Sequence, residues 1–237
     1  MERATRRTGW LAAALAAGLW TGIACGQEVL PRNPTGETVF SIPAGGVAAV
    51  SVPYWNLASE DGTYRFGETG IAQGLPAGSC VYFWDGSKQK WGGGMKSAFG
   101  WDPAESNRVL AVGEGFCVRN GGEEAVEVAA AGEIPSDERL VRAYKGGWTW
   151  TAMAVPYPCG EGIRFGDTEL AMQLYKGATA CFWDSGLQEW TGGSKSAKGW
   201  SGATAGRVLA EGEAFFVRSG TDEPDGEWTV EKPYDYP

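Results

Sequence analysis

Residues 65–121 lie on residues 164–220 without a gap, at a constant offset of 99, with 30 identities in 57 positions. Whatever this chain folds into must therefore satisfy one pattern twice. Upstream, Val52-Pro53-Tyr54 matches Val155-Pro156-Tyr157, and Gly45-Gly46 matches Gly146-Gly147. A period near 100 residues is the size of a small domain and far longer than a solenoid repeat. The boundaries that follow are a first repeat at 36–135 and a second at 136–237, joined through the polar, proline-containing link Glu133-Ile134-Pro135-Ser136-Asp137-Glu138. Each repeat is long enough to hold a core of its own and is expected to fold alone.

Within a repeat the apolar residues alternate over short runs. The chain carries 37 glycines and 12 tryptophans in 237 residues, a composition of many turns and large side chains. Thr38–Pro43 and Val47–Tyr54 read as a hairpin about Ala44-Gly45-Gly46, with Trp148–Tyr157 as the return strand in the second repeat. Thr69 and Thr168 stand where they can cap a short helix whose apolar stripe is Ile71, Ala72 and Leu75, or Leu170, Ala171 and Leu174. Val81–Asp85 and Ala180–Asp184 place Phe and Trp on opposite faces, so these strands should be covered on both sides. Arg108–Arg119 and Arg207–Arg218 read as hairpins about Gly113-Glu114 and Gly212-Glu213, with Phe116 and Phe215 facing the core. Ala125–Ala129 and Glu227–Val230 read as closing strands. The expected fold is all-β and mainly antiparallel, with one short helix per repeat, in two tandem homologous β-sandwich- or barrel-like units.

The chain has no histidine, which excludes His-based triads, His general bases and His metal ligands within it. Its formal charge of −9 is a poor match for nucleic acid or anionic lipid. Arg3, Arg6 and Arg7 precede an apolar run from Trp10 to Ala24 that is too short for a comfortable membrane span. Residues 1–26 therefore read as a signal peptide, with 27–35 as an extended linker and no membrane span after cleavage. Gly22-Ile23-Ala24-Cys25 has the form of a degraded lipobox and makes Cys25 a lipidation candidate. Export permits disulfides, and Cys80, Cys117, Cys159 and Cys181 remain. Cys80 meets Thr179, Cys117 meets Phe216 and Cys181 meets Tyr82 in the other repeat, so no bridge is common to both. Free, buried thiols are expected, with a bridge as the alternative.

The most distinctive retained segment is Trp91-x-Gly93-Gly94-x-Lys96-Ser97-Ala98-x-Gly100-Trp101, repeated from Trp190 to Trp200. Its glycine spacing is not that of a phosphate loop. Flat indole faces stack on sugar rings, and nearby acids and amides bind hydroxyls. Trp91, Trp101, Trp190 and Trp200, with Asp85 and Asp184 beside them, are the ligand-binding candidates. The competing reading makes these tryptophans core residues of a glycine-rich domain. The retained charges Lys96/Lys195, Arg108/Arg207, Glu114/Glu213 and Arg119/Arg218 suit a structural ion pair across the hairpin better than a pair of catalytic acids. No cofactor, metal site or catalytic residue is expected.

The Val52-Pro53 opening, the Trp84 strand and the Gly113-Glu114-x-Phe116-x-Val118-Arg119 run, with their second-repeat partners, resemble units of uncharacterised exported bacterial tandem-repeat proteins. The resemblance covers most of residues 38–120 and 142–220. It implies export and supplies no activity. The functional expectation is an exported, noncatalytic binding or adhesion module at the cell surface or secreted, with an extracellular glycan or cell-surface polymer as partner. The alternatives are a structural surface or matrix subunit and, further off, a carboxylate-based hydrolase.

Overall fold

The computed structural model describes residues 34–59, 62–111, 113–137 and 139–233; the expected signal segment 1–26, Cys25, most of the linker and the tail Tyr234–Pro237 lie outside the described residues. The described residues form one compact unit. The first half runs β1 (Thr35–Ile42), β2 (Val47–Val50), β3 (Tyr64–Arg65), α1 (Gly70–Gly74), β4 (Cys80–Asp85), β5 (Lys90–Met95), α2 (Pro103–Ser106), β6 (Val109–Leu110), β7 (Phe116–Arg119) and β8 (Val126–Glu133). The second half runs through the same order: β9 (Arg139–Tyr144), β10 (Trp150–Ala154), β11 (Ile163–Arg164), α3 (Glu169–Gln173), β12 (Thr179–Asp184), β13 (Glu189–Ser194), α4 (Gly202–Ala205), β14 (Val208–Leu209), β15 (Ala214–Arg218) and β16 (Gly226–Glu231). The chain is mostly antiparallel β with short helices. Each half has two of these, α1 and α2 or α3 and α4, where one was expected.

Each half builds a four-stranded sheet, ordered β2-β7-β4-β5 or β10-β15-β12-β13, and a separate two-stranded ribbon, β1-β8 or β9-β16. Neither sheet closes into a barrel. The two hairpins expected from turn chemistry are corners instead. At the first corner Gly45 has φ +63 and Gly46 donates its N–H to the Pro43 carbonyl at 2.9 Å. The flanking strands do not pair with each other: β1 pairs with β8, and β2 with β7 through Val47↔Arg119 and Val50↔Phe116. The Asn120 carboxamide, buried beyond β7, donates to the carbonyls of Ile42, Pro43 and Glu124 and holds the corner open in this form. Likewise β6 pairs with β3 and β7 with β4, so the Gly113-Glu114 turn links two sheets.

The helix expectation holds in detail. The Thr69 and Thr168 hydroxyls accept from the Ala72 and Ala171 N–H groups, each at 3.1 Å. Each satisfies one of the donors that a helix start leaves without an intrahelical partner. Ile71, Ala72 and Leu75 are buried, as are Leu170, Ala171 and Leu174. Two clusters result, one per half. The first joins α1, the inner face of β2-β7-β4 and the ribbon residues Ile42, Val128 and Ala130 around Phe66, Phe83 and Phe116. The second does the same around Phe165, Phe182 and Phe215, with Trp228 from its ribbon.

A third cluster lies between the halves. It holds Ala49, Cys117, Ala152, Ala154, Ala214 and Phe216, with Tyr82, Trp84, Trp150, Cys181 and Trp183 packed against it. These residues come from the second face of each four-stranded sheet. Strands β4 and β12 are thus covered on both sides, by their own helix and ribbon on one and by the other half on the second. Small alanines let the sheets approach: a Cβ at Gly115 would stand 2.7 Å from the Ala214 Cβ and 2.8 Å from the Met153 carbonyl oxygen.

The same contacts recur in both directions, as across a two-fold axis. Trp84 Nε1 donates to the Trp150 carbonyl at 2.9 Å, and Trp183 Nε1 donates to the Val47 carbonyl at 2.8 Å. Gln89 accepts from the Trp150 N–H at 2.7 Å and donates to its carbonyl at 3.0 Å. Gln188 does the same with Val47, at 2.6 and 3.0 Å. Strand register makes Val47 the counterpart of Trp150, since they face Arg119 and Arg218 respectively. One further tie is not reciprocal: Glu211 accepts from the Thr38 and Tyr54 hydroxyls of the first half.

All four described cysteines are free. Burial pushes the Cys117 thiol up to about 12 and, as the largest of several causes, the Cys159 thiol up to about 11. A reducing agent is therefore expected to leave the melting temperature unchanged within error. Losing a native bridge typically costs about 2–5 kcal/mol, so a drop of roughly ten degrees on reduction would show that a bridge closes.

Candidate functional site

The loops singled out by the sequence divide into two parts with different places in the fold. Trp91 and Trp190 lie on β5 and β13, in register with Trp84 and Trp183. Their ring centroids stand 5.2 and 5.1 Å from those partners, edge to face. Both point to the junction and flank one residue of the second half: Phe216 is 5.2 Å from Trp91 and 5.4 Å from Trp190. They nonetheless remain 42% and 44% exposed. Together with Trp84, Trp150, Cys181 and Phe216 they line a cleft of about 350 Å³.

Trp101 and Trp200 are elsewhere. Each packs edge-on against the central ring of its own half, 5.0 Å from Phe66 or 5.1 Å from Phe165. Each indole N–H bonds a helix carbonyl, Ala72 at 3.0 Å or Ala171 at 2.9 Å. The lysines of the same loops complete that cap. Lys96 Nζ donates to the carbonyls of Ala72, Gln73 and Leu75, and Lys195 Nζ to those of Ala171, Met172 and Leu174, at 2.6–3.1 Å. A helix end leaves these carbonyls without intrahelical partners, and a cation there also meets the negative end of the helix dipole. Ser97 and Gly100, with Ser196 and Gly199, close the tight turn that carries the lysine and tryptophan to the helix.

Asp85 and Asp184 sit at the β4–β5 and β12–β13 turns. Asp85 Oδ1 accepts from the N–H groups of Ser87 and Lys88 and from the Ser87 hydroxyl, and Oδ2 pairs with Lys88 at 2.7 Å. These bonds, Lys88 foremost, hold its carboxyl well below the usual range. Asp184 Oδ1 accepts from Gly186 and Leu187, each at 2.9 Å. Neither lines the aromatic cleft.

Of the other retained charges, one arginine and one glutamate in each half form the expected pair, while Arg119 and Arg218 stand outside it. Arg108 meets Glu114 at 2.6 Å and Arg207 meets Glu213 at 2.5 Å. Asp184, Glu211 and Glu213 do line a second cleft, of about 330 Å³, beside Arg207. Each of the three already holds partners: Asp184 a turn, Glu211 two hydroxyls, Glu213 an arginine and the Ala210 N–H. Burial raises the Glu213 carboxyl above its ordinary value against the opposing pull of Arg207 and that N–H. Among the described residues no cluster of acids and thiols has the form of a metal site, and no helix is long and apolar enough to cross a membrane.

Sequence reasoning did not single out Trp84, Trp150, Cys181 and Phe216 as lining residues. A signal existed in the differences between the repeats. In β4 and β7 the cross-strand pair is Tyr82↔Cys117; in β12 and β15 it is Cys181↔Phe216. Large and small exchange places, which keeps the filled volume of the junction while making its two sides unlike. No family model, curated protein or solved structure matches this chain.

Proposed function

We propose that this chain is an exported, noncatalytic binding module, built by duplication, that holds a glycan in the aromatic cleft at the junction of its two halves. The observation that carries this reading is the pair Trp91 and Trp190, brought from different halves to flank Phe216 and left nearly half exposed. A hydrophobic junction normally buries its largest rings. Indoles kept open beside a concave wall suit stacking on the apolar face of a sugar ring. Hydroxyls find partners along β5 and β13. Each is the last strand of its sheet, so its outer edge carries backbone N–H and C=O groups outside the ladder. Gly92 on β5, where an added Cβ would meet nothing within 4 Å, leaves that backbone open to close approach.

A glycan array probed with residues 27–237 tests the reading, followed by tryptophan fluorescence on the hits. Trp91→Ala and Trp190→Ala are each expected to weaken binding about tenfold or more, as truncating a central aromatic anchor does. Phe99→Ala, fully exposed and outside the cleft lining, reports on general surface adhesion. No glycan hit, or hits indifferent to Trp91 and Trp190, would favour the structural-subunit alternative.

A further inference from the structure

The tryptophan and glutamine clasps of the junction are two-fold, but its cleft is one-fold, and the difference centres on Arg218. Its guanidinium carbon lies 4.7 Å from the Trp148 ring centroid and 5.3 Å from that of Trp150. Trp150 is a wall of the cleft. Arg218 also shares a face of β15 with Phe216, two residues away and itself a wall of the cleft. One Nη bonds the Thr179 hydroxyl at 3.1 Å. The Nε is buried and makes no hydrogen bond. Among the described residues no carboxylate stands within ion-pair distance of Arg218, whereas Arg108 and Arg207 each have one.

The first half has no such group. Arg119, the counterpart, reaches the Gly45 carbonyl at 3.4 Å. Val47 replaces Trp150, and Trp148-Thr149 is an insertion between Gly147 and Trp150 that the first half lacks between Gly46 and Val47. The indole pair that fixes the guanidinium is therefore present once per chain.

Resting on the reading of the cleft as a glycan site, we propose that it recognises an acidic sugar, a hexuronate residue, with one site per chain: the sugar ring stacks on Trp91 and Trp190 and the carboxylate pairs with Arg218. An arginine packed against two indoles and bonded to the Thr179 hydroxyl has its fork restrained in advance and loses less freedom on meeting a carboxylate. Charge-assisted bonds of this kind are the stronger class and give geometric selectivity. The chain's formal charge of −9 opposes the approach of densely charged polyanions, so selectivity comes from this local contact.

Calorimetry with trigalacturonate and with the neutral galactose trimer tests the assignment, because the sugars differ at C6 between carboxylate and hydroxymethyl. The uronate is expected to bind about tenfold or more tightly, with a stoichiometry near one. Arg218→Gln should remove the preference while neutral binding persists, Arg218→Lys should retain part of it, and Arg119→Gln should leave it intact. Equal affinity for the two trimers, or a preference unaffected by Arg218→Gln and Arg218→Lys, would overturn the acidic-sugar assignment and leave the glycan cleft standing. Two sites per chain would overturn the one-site claim. Absence of binding by both trimers, with array hits for other glycans that depend on Trp91, overturns the assignment alone; absence of any such hit overturns the underlying reading as well.

Discussion

Truncating Phe116 or Phe215 to alanine is expected to cost about 3–5 kcal/mol of unfolding free energy. Both side chains are fully buried, and each is a keystone of its half. Phe116 sits 5.8 Å from Phe66 and 5.7 Å from Phe83. Phe215 sits 6.0 Å from Phe165, 5.9 Å from Phe182 and 5.9 Å from Trp228. Alanine removes the transfer free energy of the ring and leaves a void that rigid aromatic neighbours cannot close. Phe215→Ala should be the more damaging, since it also strips the ring contact to Trp228, and the β1–β8 ribbon has no tryptophan. Urea unfolding measures both. Lys88→Ala supplies the comparison: its ion pair with Asp85 lies at the surface, screened by solvent, so its loss should be small beside that of either phenylalanine. Losses below about 1.5 kcal/mol for both phenylalanines would mean that the two cores rearrange freely, contrary to the packing described.

What the sequence made legible was local. Thr69 and Thr168 announced a helix start because capping needs only the next three residues. Phe83-Trp84 announced a doubly covered strand because alternation fixes which face each ring takes. Partner choice was not legible in the same way. Gly45 and Gly113, at φ +63 and +73, do turn the chain, but a turn says nothing about which strand the chain then joins. Val47 pairs with Arg119 and not with the strand just before it. The retained loops misled for a related reason. Identity between the repeats marked Lys96 and Trp101 as strongly as Trp91, although the first two cap α1 and only the third reaches the cleft. Three of the cleft's other walls were hidden because Trp150, Cys181 and Phe216 stand at positions where the repeats differ, and matching by identity passes over such positions; Trp84, retained as Trp183, was read only as a strand residue. The Asp85 and Asp184 turns were readable as turn chemistry from Asp-Gly-Ser and Asp-Ser-Gly alone.

Replacing Gln89 and Gln188 together by alanine is expected to destabilise the chain by about 1.5–4.5 kcal/mol, about 1–3 from the part-buried Gln89 bonds and about 0.5–1.5 from the exposed Gln188 bonds. Each glutamine side chain acts as a strand edge would, accepting an N–H and donating to the C=O of one residue in the other half. Its removal leaves the Trp150 N–H without that acceptor at a part-buried site, where a stranded donor loses more than the ordinary net worth of its bond, whereas the Val47 N–H is exposed and turns to water. Both glutamines adopt positive φ, +50 and +55, where a side chain pays strain that only a specific contact offsets. Gln89→Gly and Gln188→Gly separate the two effects: glycine relieves the strain and still deletes the contact, so it should recover only part of the loss. Because each half has its own aromatic core, weakening the clasp also lowers the coupling between them. Unfolding of the double variant should then broaden or divide into two steps, while the parent unfolds in one. An unchanged midpoint and a single sharp transition in the double variant would show that the apolar contacts of Ala49, Ala154, Ala214 and Phe216 hold the halves together without the glutamines.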